Sequence, residues 1–100
     1  MTRIEYAVKD NEFSLRCLGH AGFAEIGNDI VCAGISTLVQ TLTTHIPEVT
    51  TDYDIHIEPG DAWCYGKGEG AVNCFQVILT GLRLLESAYP QHLSIEKGVL

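Results

Sequence analysis

Two long segments of the chain repeat their apolar residues at the spacing of an α-helix, and this pattern limits the fold more than any other feature. The first covers residues 28–46 and should stop there, because a residue that precedes proline, here Pro47, avoids helical backbone angles. The second covers residues 71–89 and stops at Pro90. Each helix should bury one apolar face, formed by Val31, Ile35, Leu38, Val39, Leu42 and Ile46 in the first and by Val72, Phe75, Ile78, Leu79, Leu82 and Leu85 in the second.

Shorter segments around these helices alternate apolar and polar residues, which is typical of half-buried strands. Residues 3–9 and 13–20 predict a hairpin, with a two-residue turn at Asp10 and Asn11. The glycine-rich residues 66–70 predict a flexible connector. Three more strands are predicted over residues 52–58, 62–65 and 93–96. The order ββαββαβ predicts one α+β domain over residues 1–100, with two amphipathic helices on one face of a mostly antiparallel sheet.

Composition and charge narrow the environment and the partners. A net charge of −7, with no run of lysine and arginine, argues against nucleic acid. It suits a basic protein partner, although solubility alone also explains an acidic surface. The charged N-terminus does not resemble a signal peptide, and residues 30–46 are too polar to cross a bilayer. We therefore expect a cytoplasmic protein without a membrane partner. In that compartment the four cysteines should be thiols rather than disulfides.

Cys32 and His20 are the residues with the clearest chemical potential. Cys32 lies in the predicted first turn of the first helix, directly after the capping residues Asn28 and Asp29. Backbone N–H groups and the positive end of the helix dipole favour a thiolate there, and the N–H groups can bind an oxyanion. His20 should face away from the core at a strand end, and the loop of residues 21–31 is long enough to bring it to Cys32. This pair fits peptide hydrolysis, with the imidazole as general base.

Two other interpretations fit the same residues. A cysteine in a helix is often a small buried side chain, and the protein would then be a non-catalytic interaction module. Cys17 and His20 also have the spacing of metal ligands, with Cys32 as a third. However, two residues three apart on a strand point to opposite faces. We therefore expect neither a metal nor a cofactor.

The residues around the pair form a longer pattern. Residues 19–24 follow G-H-A-G-x-A, residues 27–33 follow G-x-D-I-V-C-A, and Ser36 comes four positions after the cysteine. This string closely resembles the signature of the ribosomal-processing cysteine protease family, Prp, and the resemblance extends to the length, the opening hairpin and the second helix. It implies a cysteine endopeptidase in which Cys32 and His20 are the catalytic pair.

The resemblance also implies a substrate and an assembly. Members of that family remove a short N-terminal extension from large-subunit ribosomal protein twenty-seven during ribosome maturation. They are homodimers, with a loop over the active site that moves when substrate enters. The alternative is a non-catalytic ribosome-assembly or protein-interaction module in which the cysteine is structural.

Other residues of the motif have supporting assignments. Asp29 should cap the helix, orient the histidine, or do both. Ser36 lies one turn after the cysteine on the same side of the helix, where it fixes the thiol, contacts substrate or bonds to a backbone carbonyl. Loop mobility is assigned to three glycines, Gly19, Gly22 and Gly27.

Three residues outside the motif also have expected positions. Cys17 shares a strand face with apolar residues and should lie in the core. Trp63 is expected in the core as well, rather than in a substrate groove. His92, near the end of the chain, should be exposed.

Overall fold

The strands and helices follow the predicted order in the computed structural model, which describes residues 1–25 and 27–99. Their bounds are Thr2–Lys9 (β1), Glu12–Leu18 (β2), Ile30–Val49 (α1), Tyr53–Glu58 (β3), Asp61–Lys67 (β4), Glu69–Ala88 (α2) and Leu93–Lys97 (β5). The strands form one sheet in the order β3-β4-β2-β1-β5. β5 runs parallel to its neighbour β1, and the other described pairs are antiparallel. The α+β fold with a mostly antiparallel sheet is confirmed.

The first hairpin has the turn that its sequence predicts. Lys9 pairs with Glu12, so Asp10 and Asn11 alone form the connection between β1 and β2. Asp10 has a φ of 54°, in the left-handed region that Asp and Asn tolerate better than most residues. This turn fixes the register of β1 on β2 and thereby the position of the end of β2, where the candidate histidine follows.

The core lies between one face of the sheet and the two helices. α2 packs against β2, β4 and β5, while α1 packs against α2 and the β3–β4 hairpin. The rings of Phe13 and Phe75 stack with centroids 4.7 Å apart at the centre of this layer. All the residues of the two predicted apolar helix faces are buried or packed against the core. Neither helix is long and apolar enough to cross a membrane, within the described residues.

The opposite face of the sheet is not covered by either helix, and it holds Trp63, which was expected in the core. Trp63 alternates along β4 with the buried Cys64 and therefore points away from the core. Its ring lies 5.7 Å from the ring of His56 and 6.5 Å from that of Tyr65. These three half-buried or exposed rings form an aromatic row on the open face.

Two predicted boundaries were also wrong. α1 continues through Pro47 to Val49, and the N–H of Thr50 donates to the carbonyl of Ile46 to close the last turn. A proline this near a helix end removes only one internal hydrogen bond, so the turn survives. The predicted flexible connector does not exist, because its residues belong to the end of β4 and the start of α2, with Gly68 alone between them at a φ of 125°.

Candidate active site

A cavity of about 380 Å³ opens at the junction of three elements. The first half of α1 forms one wall, the residues that follow β2 form the second, and the β3–β4 turn forms the third. Cys32 and Ser36 face it from α1, and His20 faces it from the end of the first hairpin. The structure therefore brings together the predicted nucleophile, the predicted base and one supporting residue.

The start of α1 places Cys32 as the sequence predicts. Asp29 is the N-cap residue, and its Oδ1 accepts a hydrogen bond of 2.8 Å from the backbone N–H of Cys32. The Asp29 carbonyl accepts the first helical bond, 3.0 Å from the N–H of Ala33. Because Asp29 occupies the Cys32 N–H, that group is not free for an oxyanion, contrary to the expectation from the sequence. The Cys32 side chain is half-buried and packs against the edge of the core.

The same carboxylate also ties down the loop before the helix. Asp29 Oδ2 accepts hydrogen bonds from the N–H groups of Phe23 at 3.0 Å and Ala24 at 3.4 Å. The bond from the Cys32 N–H, with those from the loop, holds the pKa of Asp29 below its usual range. Within the described residues its hydrogen bonds reach backbone amides, and none involves His20. The capping role is confirmed, and an orienting role stays a prediction.

His20 reaches the cavity because the strand ends two residues before it. Gly19 turns the chain with a φ of 84°, and a Cβ there would lie 2.9 Å from the carbonyl oxygen of Met1. Only glycine fits this close approach. The Gly19 N–H then donates to the Gly60 carbonyl at 2.8 Å, and a Cβ on Gly60 would lie 3.4 Å from His20 Nε2. The imidazole is exposed and sits against the β3–β4 turn.

The turn at Gly19 also changes the position of Cys17 relative to the histidine. Cys17, His20 and Cys32 all line the cavity, so the expectation that the first two point to opposite faces was wrong. Burial first, and then the charges of Cys32 and Asp61, raise the pKa of Cys17 to about 11. Cys17 is half-buried against the core rather than inside it. No group of three or more side chains in residues 1–25 and 27–99 is arranged to hold a metal ion.

The loop between β2 and α1 is anchored by residues that sequence reasoning missed. Ala21 is buried, and its carbonyl lies 3.1 Å from Nδ1 of His92. The Phe23 ring meets the rings of Tyr89 and His92 edge to face, at 5.4 Å and 5.3 Å. His92 is therefore half-buried under the loop rather than exposed. Nothing local in the sequence indicates a contact across this separation.

The sequence as a whole matches a known protein family. A profile of the family described as cysteine protease Prp matches residues 1–94. The chain belongs to the cysteine protease Prp family. It is an enzyme of the cysteine peptidase class, as the resemblance implied. Among curated proteins, no match to the sequence is found.

Solved structures show the Prp fold across nearly the whole chain. The essential ribosomal processing protease Prp from S. aureus, with a covalently linked product peptide, matches at a TM-score of 0.82 and 23% identity, covering 98% of this chain and 100% of that one. With a substrate peptide it matches at 0.83 and 24%, with the same coverage of 98% and 100%. SMU.848 from Streptococcus mutans matches at 0.72 and 21%, covering 100% of this chain and 96% of that one.

Thiol reactivity should separate Cys32 from the other cysteines of this Prp family member. A pKa of about 11 leaves on the order of one Cys17 thiol in 10,000 ionised at pH 7, and burial, which raises the pKa of Cys64 to about 12, leaves fewer still. We expect iodoacetamide at pH 7 to modify Cys32 at least about tenfold faster than the other thiols. Peptide mapping by mass spectrometry over time measures the four rates. Equal rates at Cys32 and at Cys74, which lies on α2, would contradict the assignment of a special thiol.

Asp29 should affect catalysis by holding the loop and the start of α1 in place, rather than by contacting the substrate. Asp29→Ala removes the helix cap and both loop contacts, so we expect kcat/KM to fall about 10–100-fold and the melting temperature to drop. Asp29→Asn keeps an acceptor oxygen at the cap, so its kcat/KM and its melting temperature should fall less than those of the alanine variant. Because the folded-state pKa is lowered, the stability that this carboxylate contributes is present at neutral pH and disappears as pH falls through that lowered value. A melting temperature of the Ala variant equal to that of wild type across pH 3–7 would refute this.

Proposed function

We propose that this Prp family member cleaves a peptide bond with Cys32 as nucleophile and His20 as general base. The observation that supports the proposal is the shared cavity of the two side chains in a chain that matches the cysteine protease Prp family over residues 1–94. His20 takes the proton of the Cys32 thiol while the sulfur attacks the carbonyl carbon. The imidazolium then protonates the leaving amine, and water hydrolyses the thioester that remains.

The proposed substrate is the N-terminal extension of large-subunit ribosomal protein twenty-seven. Support comes from the motif at residues 19–36 and from the S. aureus relative, which is described as a ribosomal processing protease. The net charge of −7 suits a basic ribosomal protein, since opposite charges steer the encounter. Cleavage would take place in the cytoplasm, where ribosomes are assembled, and the catalytic domain would act as a homodimer.

Residues around the pair receive proposed supporting roles. Ser36 lines the cavity one turn after Cys32, and we assign its hydroxyl to the thiol or to the bound peptide. Asp29 ties the loop to the helix start before substrate enters. Gly19, Gly22 and Gly27 have φ values of 84°, 69° and 94°, and we propose that the loop that contains them shifts when substrate enters.

The direct test is cleavage of the extended ribosomal protein, followed by mass spectrometry of the products. The wild-type enzyme should make a single cut that releases the N-terminal extension. A form of the ribosomal protein that lacks the extension is the matched control and should remain intact. If folded enzyme with intact thiols leaves both proteins uncut, the proposal is wrong and a binding role for the cavity replaces it.

A further inference from the structure

The two edges of the sheet differ in how their backbone groups are used. At the β5 edge, the N–H of Ile95 donates to Oε2 of Glu86 at 2.8 Å, so a side chain of α2 occupies this backbone group. At the other edge, β3 pairs with β4 alone. Natural sheets protect or cover such an edge, because a free row of N–H and C=O groups pairs readily with another extended chain. Among the described residues, the edge of β3 is therefore the more open of the two.

The register identifies which groups of β3 point outward. Glu58 pairs with Asp61 across a two-residue turn, which makes them a hydrogen-bonded pair. Lys67 and Asp52 lie an even number of residues from that pair on their strands, so they should be hydrogen-bonded too. The bond of 2.9 Å from the Lys67 N–H to the Asp52 carbonyl agrees with this. Alternation then directs the N–H and C=O groups of Tyr53, Ile55 and Ile57 away from β4. No hydrogen bond to these groups occurs in residues 1–25 and 27–99.

This open edge leads directly to the cavity of Cys32. Ile57 lines that cavity, and Tyr53 and Ile55 share its side of the strand, since Ile55 packs against the core. Tyr53 is 42% exposed and Ile57 is 58% exposed, so apolar surface flanks the open backbone. An extended chain paired with Ile57 would direct the paired side chain to the same face, towards the cavity.

We propose that the substrate peptide binds along the edge of β3 as a sixth strand and enters the cavity at Ile57. The inference rests on the proposed peptidase function and adds the mode of recognition. Backbone hydrogen bonds to alternate residues of β3 hold the peptide extended, and the cavity receives the side chain nearest the scissile bond. Such pairing depends little on the peptide's side chains away from the cavity, and it aligns the carbonyl for attack by Cys32.

Hydrogen exchange measured by NMR tests the pairing residue by residue. The probe is a synthetic peptide that spans the extension and the first residues of mature ribosomal protein twenty-seven, bound to Cys32→Ala enzyme. We expect exchange at the Tyr53, Ile55 and Ile57 amides to slow at least about tenfold on binding. The intervening amides of Asp54 and His56 are already bonded to β4 and should not change, which makes them an internal control.

A kinetic test with wild-type enzyme needs no variant. N-methylation of single peptide nitrogens should lower kcat/KM about tenfold at alternate positions and leave the intervening positions unaffected. A peptide that is cleaved normally but neither protects β3 nor shows this alternation would overturn the inference and leave the proposed function intact. Protection of the same amides before peptide is added would mean that a second copy occupies the edge, and would also overturn it. A peptide that is never cleaved would remove the proposed function and this inference together.

Discussion

Cys32→Ala should reduce kcat/KM on the extended ribosomal protein by at least about 1,000-fold, because it removes the thiol that forms the thioester. Cys17 lies in the same cavity, but burial and its neighbours raise its pKa to about 11, so it cannot substitute for the missing thiolate at neutral pH. The measurement is product formation over time at substrate concentrations well below KM.

The fold should survive this substitution. Asp29 accepts a hydrogen bond from the backbone N–H of Cys32, and alanine keeps that group and favours the helix. The thiol that is lost packs at the edge of the core, so the melting temperature should stay within about 5 °C of wild type. Cys74→Ala is the matched control, with an equal chemical change on α2, and should retain activity. Full activity of Cys32→Ala would exclude it as nucleophile, and loss of a cooperative thermal transition would refute its position at the core edge.

The sequence predicts well those parts of the fold that depend on residues close together in the chain. The apolar faces of both helices follow from the spacing of Val31 to Ile46 and of Val72 to Leu85, and all of these residues pack as expected. The Asp29 cap is a contact over three residues, so it too is visible in the sequence. The family motif is local for the same reason, and its residues alone indicate Cys32 and His20 as the candidate pair.

The predictions that failed depend on backbone angles or on distant contacts. Continued alternation placed His20 on the face opposite Cys17, but Gly19 ends the strand at a positive φ that the sequence permits without revealing. Trp63 does not lie in the core as expected, because its alternation with the buried Cys64 decides the face. The contact between His92 and Ala21 joins residues 71 positions apart, and no local pattern encodes such a pairing.

His20→Ala should lower kcat/KM by about 1,000-fold, since the variant lacks both the base that takes the thiol proton and the acid that protonates the leaving amine. The side chain is exposed beside Gly60, so its removal should leave the melting temperature unchanged. Without the imidazole, the thiol proton must pass to hydroxide or another base from solution, and the remaining rate should rise steadily with pH. A supporting role in structure alone would not change the shape of that pH profile.

A matched control and a rescue make the test of His20 decisive. His45→Ala removes an exposed imidazole from α1 outside the catalytic cavity and should leave kcat/KM as it is. Added imidazole should restore part of the activity of His20→Ala, because a free base can enter the space that the side chain left beside the β3–β4 turn. It should not restore Cys32→Ala, in which the nucleophile itself is absent. Wild-type turnover by His20→Ala, or an unchanged pH profile, would show that the histidine does not take the proton of the cysteine.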